Sequence, residues 1–149
     1  VEKRVQKVLL TEQTEIPTFE HLRMKDLTPL QRQVLVEKHL ISPNLANQPK
    51  GTVFLTADET CSVMVNEEDH IRIQCLAPAQ HLQATFERAK QLDTYLQQQL
   101  PYAYDERYGF LTSCPTNVGT GLRASVMLHL PALTMTKKIN HLIQIHRYH

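Results

Sequence analysis

GTVFLTADETCSVMVNEEDHIRIQCL, residues 51–76, contains three short runs rich in β-branched and apolar residues, at 52–56, 62–66 and 70–76. Runs of this length and composition are typical of β-strands. In the third run apolar and polar residues alternate, so one face of the strand is apolar and the other polar. The last two runs face each other across Glu67-Glu68-Asp69, and they predict a hairpin with an acidic tip.

Helices are predicted on both sides of these strands. Apolar residues at helical spacing from Val1 to Leu9 predict an amphipathic helix. Thr28 before Pro29, with Gln31 at the capping-box position, predicts the start of a second helix. A third helical pattern runs from Pro78 to Leu100.

The segment that follows Pro101 predicts two more strands and a helix. The strands are expected at 108–113 and at 122–130, where apolar and polar residues again alternate, and the helix at 135–145. This mixture indicates an α+β fold, with an antiparallel sheet flanked by helices. We expect a single partial catalytic domain over residues 1–149, with a mainly helical lead-in at 1–45 and a sheet-and-helix core at 46–149.

Composition excludes several classes of protein. The 149 residues are 42% hydrophobic and 21% charged, as in soluble globular domains. A net charge of +1 argues against non-specific nucleic-acid binding, and the apolar runs are too short to cross a membrane. The first ten residues do not resemble a secretion signal. Three widely spaced cysteines favour a reduced, cytoplasmic chain.

The acidic tip is the first of two polar segments with a composition suited to chemistry. It lies in NEEDHIR, residues 66–72. Three adjacent carboxylates repel one another, so we expect at least one raised pKa and a side chain able to act as a base. A solvated acidic turn is the ordinary alternative. Arg72 favours the functional interpretation because it shares a strand face with His70.

The second polar segment is CPTNVGTGLRAS, residues 114–125. Its small residues at 116–121 would let backbone amides approach a ligand, and Arg123 follows on the polar face of the predicted strand. Amide-rich loops with arginine side chains suit a polyphosphate. An ordinary loop with an exposed arginine is the alternative.

Both segments resemble the signature segments of the phosphagen kinase family, the ATP:guanidino phosphotransferases. The flanking EKHLISPNLA (37–46) and DERYGFLTSCPTNVGTGLRASVMLHLPAL (105–133) resemble the bacterial protein arginine kinases of that family. The resemblance extends from about Glu20 to about Ile139. It implies transfer of the ATP γ-phosphoryl group to the guanidinium of arginine in proteins, with Mg²⁺.

The resemblance also implies residue roles. Glu68 would deprotonate the substrate guanidinium, with Glu67 and Cys114 beside it. Arg72 and Arg123 would hold the ATP phosphates. The remaining nucleotide-binding positions implied by the family are His39, Ala124, Ser125, Val126 and Met127.

Several alternatives stay open for the cysteines and histidines. By resemblance Cys114 tunes activity without a covalent intermediate, whereas a thiolate nucleophile paired with His129 is the rival hypothesis. Cys61 and Cys75 fit core or edge packing. Three terminal histidines could suggest a metal site, but spare histidines in a tail explain them better, and we expect no metal ligand here: His141, His146 and His149.

Family members are much longer than this chain, and they carry further phosphate-binding segments. We therefore expect the chain alone to be weakly active or inactive, and the alternative function is a nucleotide- or protein-binding module. The resemblance implies a zinc-containing activator protein, a heat-shock repressor and a Clp unfoldase as partners. An incomplete sheet would favour a homo-oligomer.

Overall fold

A computed structural model of the chain describes residues 1–11, 16–78, 81–140 and 143. The histidines His141, His146 and His149 lie outside the described residues, and so does most of the divergent ending at 140–149. The expectation that these are spare histidines of a tail therefore stays a prediction.

A four-stranded antiparallel sheet forms the centre of the fold. Its strands are β1 (Phe19–Arg23), β2 (Thr52–Thr56), β3 (Cys61–Val65) and β4 (Ile71–Cys75), and they lie in chain order. Each strand pairs with the next in antiparallel register. The three strands predicted between residues 52 and 76 are confirmed within one residue at each end.

Over the residues that the structure describes, five helices, two 3-10 turns and a small ribbon accompany this sheet. The predicted capping box is present, since the Thr28 hydroxyl accepts the Gln31 amide and the Gln31 side chain accepts the Thr28 amide. The helices are α1 (Glu2–Leu9), α2 (Pro29–Glu37), α3 (Pro43–Ala46), α4 (Leu82–Gln99) and α5 (Pro131–Met135); the 3-10 turns are Met24–Asp26 and Pro115–Asn117; and the ribbon strands are β5 (Tyr104–Asp105) and β6 (Gly109–Phe110).

Helices cover both faces of the four-stranded sheet. On one face, side chains of α1 and α4 pack against the sheet in a buried cluster that includes Leu9, Phe54 and Leu96. On the other, the α2–α3 region packs in a second cluster that includes Leu45 and Met64. Because β2 and β3 are buried on both faces, they anchor the hairpin tip that β3 and β4 carry.

The sequence pattern does not predict β1. Its five residues, FEHLR, mix polar and apolar types, and Phe19 alone is fully buried among them. The strand forms because β2 offers a backbone edge along its whole length, with Phe19 opposite Thr56 and Arg23 opposite Thr52. Pairing with a buried neighbour satisfies backbone groups that a polar sequence would otherwise leave to water.

The strand predicted at 122–130 is wrong. Residues 122–129 are exposed, and residues 122–130 form no strand. An alternating pattern shows which face a strand would bury, but a strand also needs a partner for its backbone, and none of the described strands pairs with this segment.

Two neighbouring predictions hold only in part. The strand expected at 108–113 is reduced to β6, and the helix expected from Met135 begins earlier, at Pro131. Helical backbone recurs at 139–140 and 143. The α+β class with an antiparallel sheet flanked by helices is confirmed. Of the helices that the structure describes, none combines the length and the apolar character needed to cross a membrane.

Candidate active site

The hairpin tip, defined as Glu67–Asp69, is closed by Asn66. This residue has a left-handed backbone (φ 60°), which asparagine tolerates better than most residues. Its amide donates to the His70 carbonyl oxygen at 3.2 Å, and its side-chain amide donates to the Lys50 carbonyl oxygen at 3.2 Å. The tip is therefore held in one conformation by backbone bonds at its base.

Glu67 points inward at this tip, and its side chain is only 2% exposed. The Ser42 hydroxyl donates to Glu67 Oε1 at 2.6 Å, and the Glu68 amide donates to Oε2 at 2.8 Å. Arg72 Nη1 lies 3.6 Å from Oε1. A buried carboxylate with this many donors is held in its charged form.

The raised pKa expected for at least one carboxylate of the tip is not found at Glu67. Burial raises the pKa of its carboxyl, but the hydrogen bonds from Ser42 and the Glu68 amide and the charge of Arg72 together lower the pKa below its ordinary value. The sequence shows the three adjacent carboxylates but not the donors that fold around one of them.

The tip contacts the loop that carries Cys114. The Ser113 amide donates to Asp69 Oδ1 at 2.7 Å, and the Ser113 hydroxyl donates to the Glu68 carbonyl oxygen at 3.1 Å. These two bonds join segments 44 and 45 positions apart in sequence. They place the backbone of Glu68 next to the residue that precedes Cys114.

Cys114 is half-buried, and its Sγ lies 3.0 Å from the Thr116 hydroxyl. His129 is exposed in the segment that forms no strand. Within the described ranges no hydrogen bond joins Cys114 to a histidine, so nothing in the structure favours the thiolate–histidine hypothesis.

The loop at 116–121 does not present its amides as an open cradle. Four amides of the loop donate to carbonyl oxygens of the same region at 3.0 to 3.4 Å. The donors are Asn117, Val118, Gly119 and Gly121, and the acceptors are Cys114, Pro115, Phe110 and Asn117 in turn. These four donors are therefore engaged within the protein, and phosphate binding by the loop stays a prediction.

Glycine is required where this loop meets β6. Gly109 has a left-handed backbone (φ 78°), and a Cβ atom there would lie 2.5 Å from the Gly119 carbonyl oxygen. The close approach lets Phe110 and Gly119 exchange backbone hydrogen bonds of 2.9 and 3.1 Å. The loop after Cys114 is thereby fixed to the ribbon.

His39 and Arg72 lie at the same side of the sheet. His39 has a left-handed backbone after α2 (φ 58°), and its carbonyl oxygen accepts a short hydrogen bond from the Gln74 side chain. Gln74 and Arg72 are two positions apart on β4, so their side chains share a face. The His39 backbone is thus tied to the strand face that carries Arg72.

The segment Arg123–Met127 stands apart from these contacts. All five residues are exposed. Arg123 has no ion pair with any described residue, whereas Arg72 faces Glu67. The structure brings together Glu67, Glu68, Arg72 and the loop before Cys114, and it does not bring Arg123 to them by any contact.

Three residues of this region are not predicted from sequence as site residues: Ser42, Asp69 and Ser113. Ser42 precedes Pro43, a pattern that signals a helix start, and its hydroxyl does accept the Leu45 amide. Its second role, as donor to Glu67, joins distant segments and leaves no local signal. The bonds of Ser113 also join distant segments and leave no local signal in the sequence.

The arrangement offers an exposed carboxylate, a half-buried thiol and a cation at one end of the sheet. Glu68 is exposed, and no described donor engages its side chain, so it can accept a proton from a bound group. Arg72 is 47% exposed, which leaves its guanidinium able to contact a ligand anion as well as Glu67.

Comparison with protein families gives a match over the whole chain. Residues 1–149 match the model described as "ATP:guanido phosphotransferase, C-terminal catalytic domain". Two similar proteins, both named protein-arginine kinase, come from Bacillus mycoides and Bacillus cereus, and each is 58% identical over 127 residues. The match covers 85% of this chain and 36% of each relative. The chain therefore spans about a third of the length of these relatives.

Solved structures give the same result at the level of the fold. A duplicated taurocyamine kinase from Schistosoma mansoni, with bound transition state analog components, matches 89% of this chain and 20% of its own chain with a TM-score of 0.74 and 27% identity. A lombricine kinase matches 90% of this chain and 41% of its own with a TM-score of 0.73, and at 24% identity it supports the fold alone.

Proposed function

Because this chain belongs to the ATP:guanido phosphotransferase family, we propose that it carries part of the active site of a protein arginine kinase. The reaction transfers the γ-phosphoryl group of ATP to a guanidinium nitrogen of arginine in a protein. The observation that carries the proposal is the junction in which Ser113, next to Cys114, hydrogen-bonds both Asp69 and the Glu68 backbone.

Glu68 is the proposed base. A guanidinium has a pKa above about 12 and becomes a nucleophile only when it loses a proton as it attacks. The exposed carboxylate of Glu68 binds the guanidinium by charge and accepts that proton. Glu67 acts differently, because its carboxylate already accepts bonds from Ser42 and the Glu68 amide, and it positions Glu68 through that amide.

Arg72 and Arg123 are the proposed contacts for the ATP phosphates. Positive charge beside the transferred group stabilises the transition state of phosphoryl transfer. Arg72 is oriented by Glu67, whereas Arg123 lies in an exposed segment free to close on a ligand. His39 and the residues from Ala124 to Met127 are the proposed neighbours of the nucleotide.

Mg²⁺ fits this site as part of a complex with ATP. Among the residues that the structure describes, no group of three or more His, Cys, Asp or Glu side chains could hold a metal ion. Mg²⁺ often keeps water and substrate phosphates as ligands, and such binding needs no protein cage. When bound, it neutralises phosphate charge, while the arginines orient the same oxygens.

Proteins that bear arginine are the proposed substrates, in keeping with the name of the Bacillus relatives. The zinc-containing activator, the heat-shock repressor and the Clp unfoldase stay predictions from the family resemblance. The homo-oligomer and the cytoplasmic location stay predictions from the incomplete sheet and from the cysteines.

The test is to incubate the purified chain with γ-labelled ATP, Mg²⁺ and an arginine-rich protein, and to measure acid-labile phosphoarginine. We expect weak phosphorylation that disappears in Glu68→Gln. Glu87→Gln is the matched control, since Glu87 is an exposed carboxylate on α4 that bonds Gln83. ATP binding without any transfer, in a titration by calorimetry, would instead support the alternative of a nucleotide-binding module.

A further inference from the structure

Cys61 and Cys75 lie directly opposite each other on β3 and β4. Their Sγ atoms are 2.9 Å apart, and both residues are free thiols. The Leu76 amide donates to the Thr60 carbonyl oxygen at 2.8 Å, so the adjacent cysteine pair is a non-hydrogen-bonded pair of the ladder. Such pairs have Cα atoms about 4.5 Å apart. This separation lies within the range that a disulfide spans.

We propose that Cys61 and Cys75 are a site of reversible oxidation, at which a hydroperoxide converts the two thiols into a disulfide joining β3 to β4. The site is separate from Cys114. It does not depend on the phosphotransferase activity proposed above.

The two thiols differ in a way that assigns their roles. The hydrogen bond from Cys75 lowers the pKa of Cys61 to about 7, with further help from Thr60 and Arg88, although burial opposes the shift. The hydrogen bond to Cys61 and burial raise the pKa of Cys75. Cys61, and not Cys75, is among the residues that line a cleft with Arg88. Because the thiolate is the nucleophile, we assign the first step to Cys61 and the resolving step to Cys75.

A cleft of about 240 Å³ gives a small oxidant access to Cys61. Asp58, Thr60, Cys61 and Arg88 are among its lining residues. Arg88 donates to the Thr60 hydroxyl at 2.8 Å, which holds its positive charge over the cleft. Cys61 lines this cleft but is only 1% exposed, so a protein thiol is excluded and the proposed oxidant is a small hydroperoxide.

The chemistry balances with the hydroperoxide as the only oxidant. The Cys61 thiolate attacks the terminal oxygen, the O–O bond breaks, and the alkoxide leaves as an alcohol after taking one proton from solvent. Cys61 is then a sulfenic acid. The Cys75 sulfur attacks the Cys61 sulfur, the S–O bond breaks, and the hydroxyl leaves as water with the Cys75 proton. Two electrons pass from the two sulfurs to the peroxide.

The test uses the chain with Cys114→Ser, which leaves Cys61 and Cys75 as its only two cysteines. Hydrogen peroxide is added at neutral pH, and the tryptic digest is analysed by mass spectrometry. Because trypsin cleaves after Arg72, the two cysteines fall in separate peptides. We expect both thiols to be lost together, a linked pair of peptides two hydrogens lighter than their sum, and full recovery with dithiothreitol.

The Cys75→Ala variant is the control for the resolving step, and we expect it to accumulate a Cys61 sulfenic acid that dimedone traps. Three results would each overturn the proposal. They are sulfinic acid at Cys61 without linked peptides, disulfides between chains, and thiols that survive the treatment. If circular dichroism shows that a variant is unfolded, the tryptic map of the unmutated chain decides between the same outcomes.

Discussion

The hydroxyl of Ser42 donates a hydrogen bond of 2.6 Å to the buried carboxylate of Glu67, and the same oxygen accepts the Leu45 amide at 3.0 Å. One side chain therefore caps α3 and supplies a donor to the hairpin tip. This is the contact through which the α2–α3 region sets the conformation of residues proposed to act on the substrate.

Ser42→Ala should lower the free energy of unfolding by about 2 kcal/mol, because a buried carboxylate loses a charge-assisted hydrogen bond. Urea denaturation at neutral pH measures the change. Thr28→Ala is the matched control, since it removes a helix cap without any contact to a buried charge and should cost about 1 kcal/mol. Equal losses in the two variants would mean that Ser42 acts only as a cap.

Stability should fall in acid in a way that depends on Glu67. Its pKa is lowered in the folded chain, so its contribution is present above the unfolded pKa of about 4.3 and is lost as pH falls through the folded value. Glu67→Gln should therefore flatten the decline in unfolding free energy below about pH 4.3, as followed by urea titration at several pH values.

The control for this pH dependence is Asp58→Asn. Hydrogen bonds from Thr56 and Thr60 also lower the pKa of Asp58, but this carboxyl is exposed and solvent screens its interactions. Asp58→Asn should therefore change the fall of unfolding free energy in acid less than Glu67→Gln does. A larger effect of Asp58→Asn than of Glu67→Gln would contradict the assignment of Glu67 as the main buried carboxylate.

Local signals in the sequence were enough for much of the fold. The β-rich runs of β2, β3 and β4 and the capping box at Thr28 depend on neighbouring residues, and the structure confirms each of them. β1 and the segment at 122–130 depend instead on a backbone partner elsewhere in the chain. Pairing creates β1 from a weak pattern, and its absence leaves a strong pattern at 122–130 without a strand.

In the candidate site, too, features that depend on neighbouring residues are predicted and features that depend on distant segments are not. The acidic tip and Arg72 are visible in the sequence as one short motif. The lowered pKa of Glu67 is not predicted from the sequence, because Ser42 lies 25 positions away and no local pattern signals that it donates to this carboxylate. The engaged amides of the loop after Cys114 depend likewise on β6, through Phe110 and Gly119.

The two arginines should differ when each is replaced by alanine. Arg123→Ala should weaken ATP binding about tenfold or more by loss of a charged phosphate contact, and it should leave stability unchanged because Arg123 is exposed. Arg72→Ala should weaken binding and also lower stability, since Glu67 loses its counter-charge. Calorimetric titration and urea denaturation separate the two effects. Unchanged ATP affinity in Arg123→Ala would remove it from the site.

Cys114→Ser should keep part of the phosphoarginine formation, because we propose no covalent bond to this sulfur. A covalent nucleophile would lose nearly all activity on the same change. His129→Ala serves as the comparison, and it should have little effect, since His129 is exposed and the Cys114 thiol contacts Thr116. Complete loss in both variants would revive the thiolate–histidine hypothesis.

Asp69→Ala should reduce phosphoarginine formation more than it reduces stability. The half-buried Asp69 accepts the Ser113 amide at 2.7 Å, and this bond holds the loop with Cys114 against the tip with Glu68. Its loss frees two segments that fold without each other, so the free energy of unfolding should change by about 1 kcal/mol or less. Asp69→Asn keeps an acceptor oxygen and should retain most activity. If alanine and asparagine reduce activity equally, the carboxylate charge matters and the junction does not.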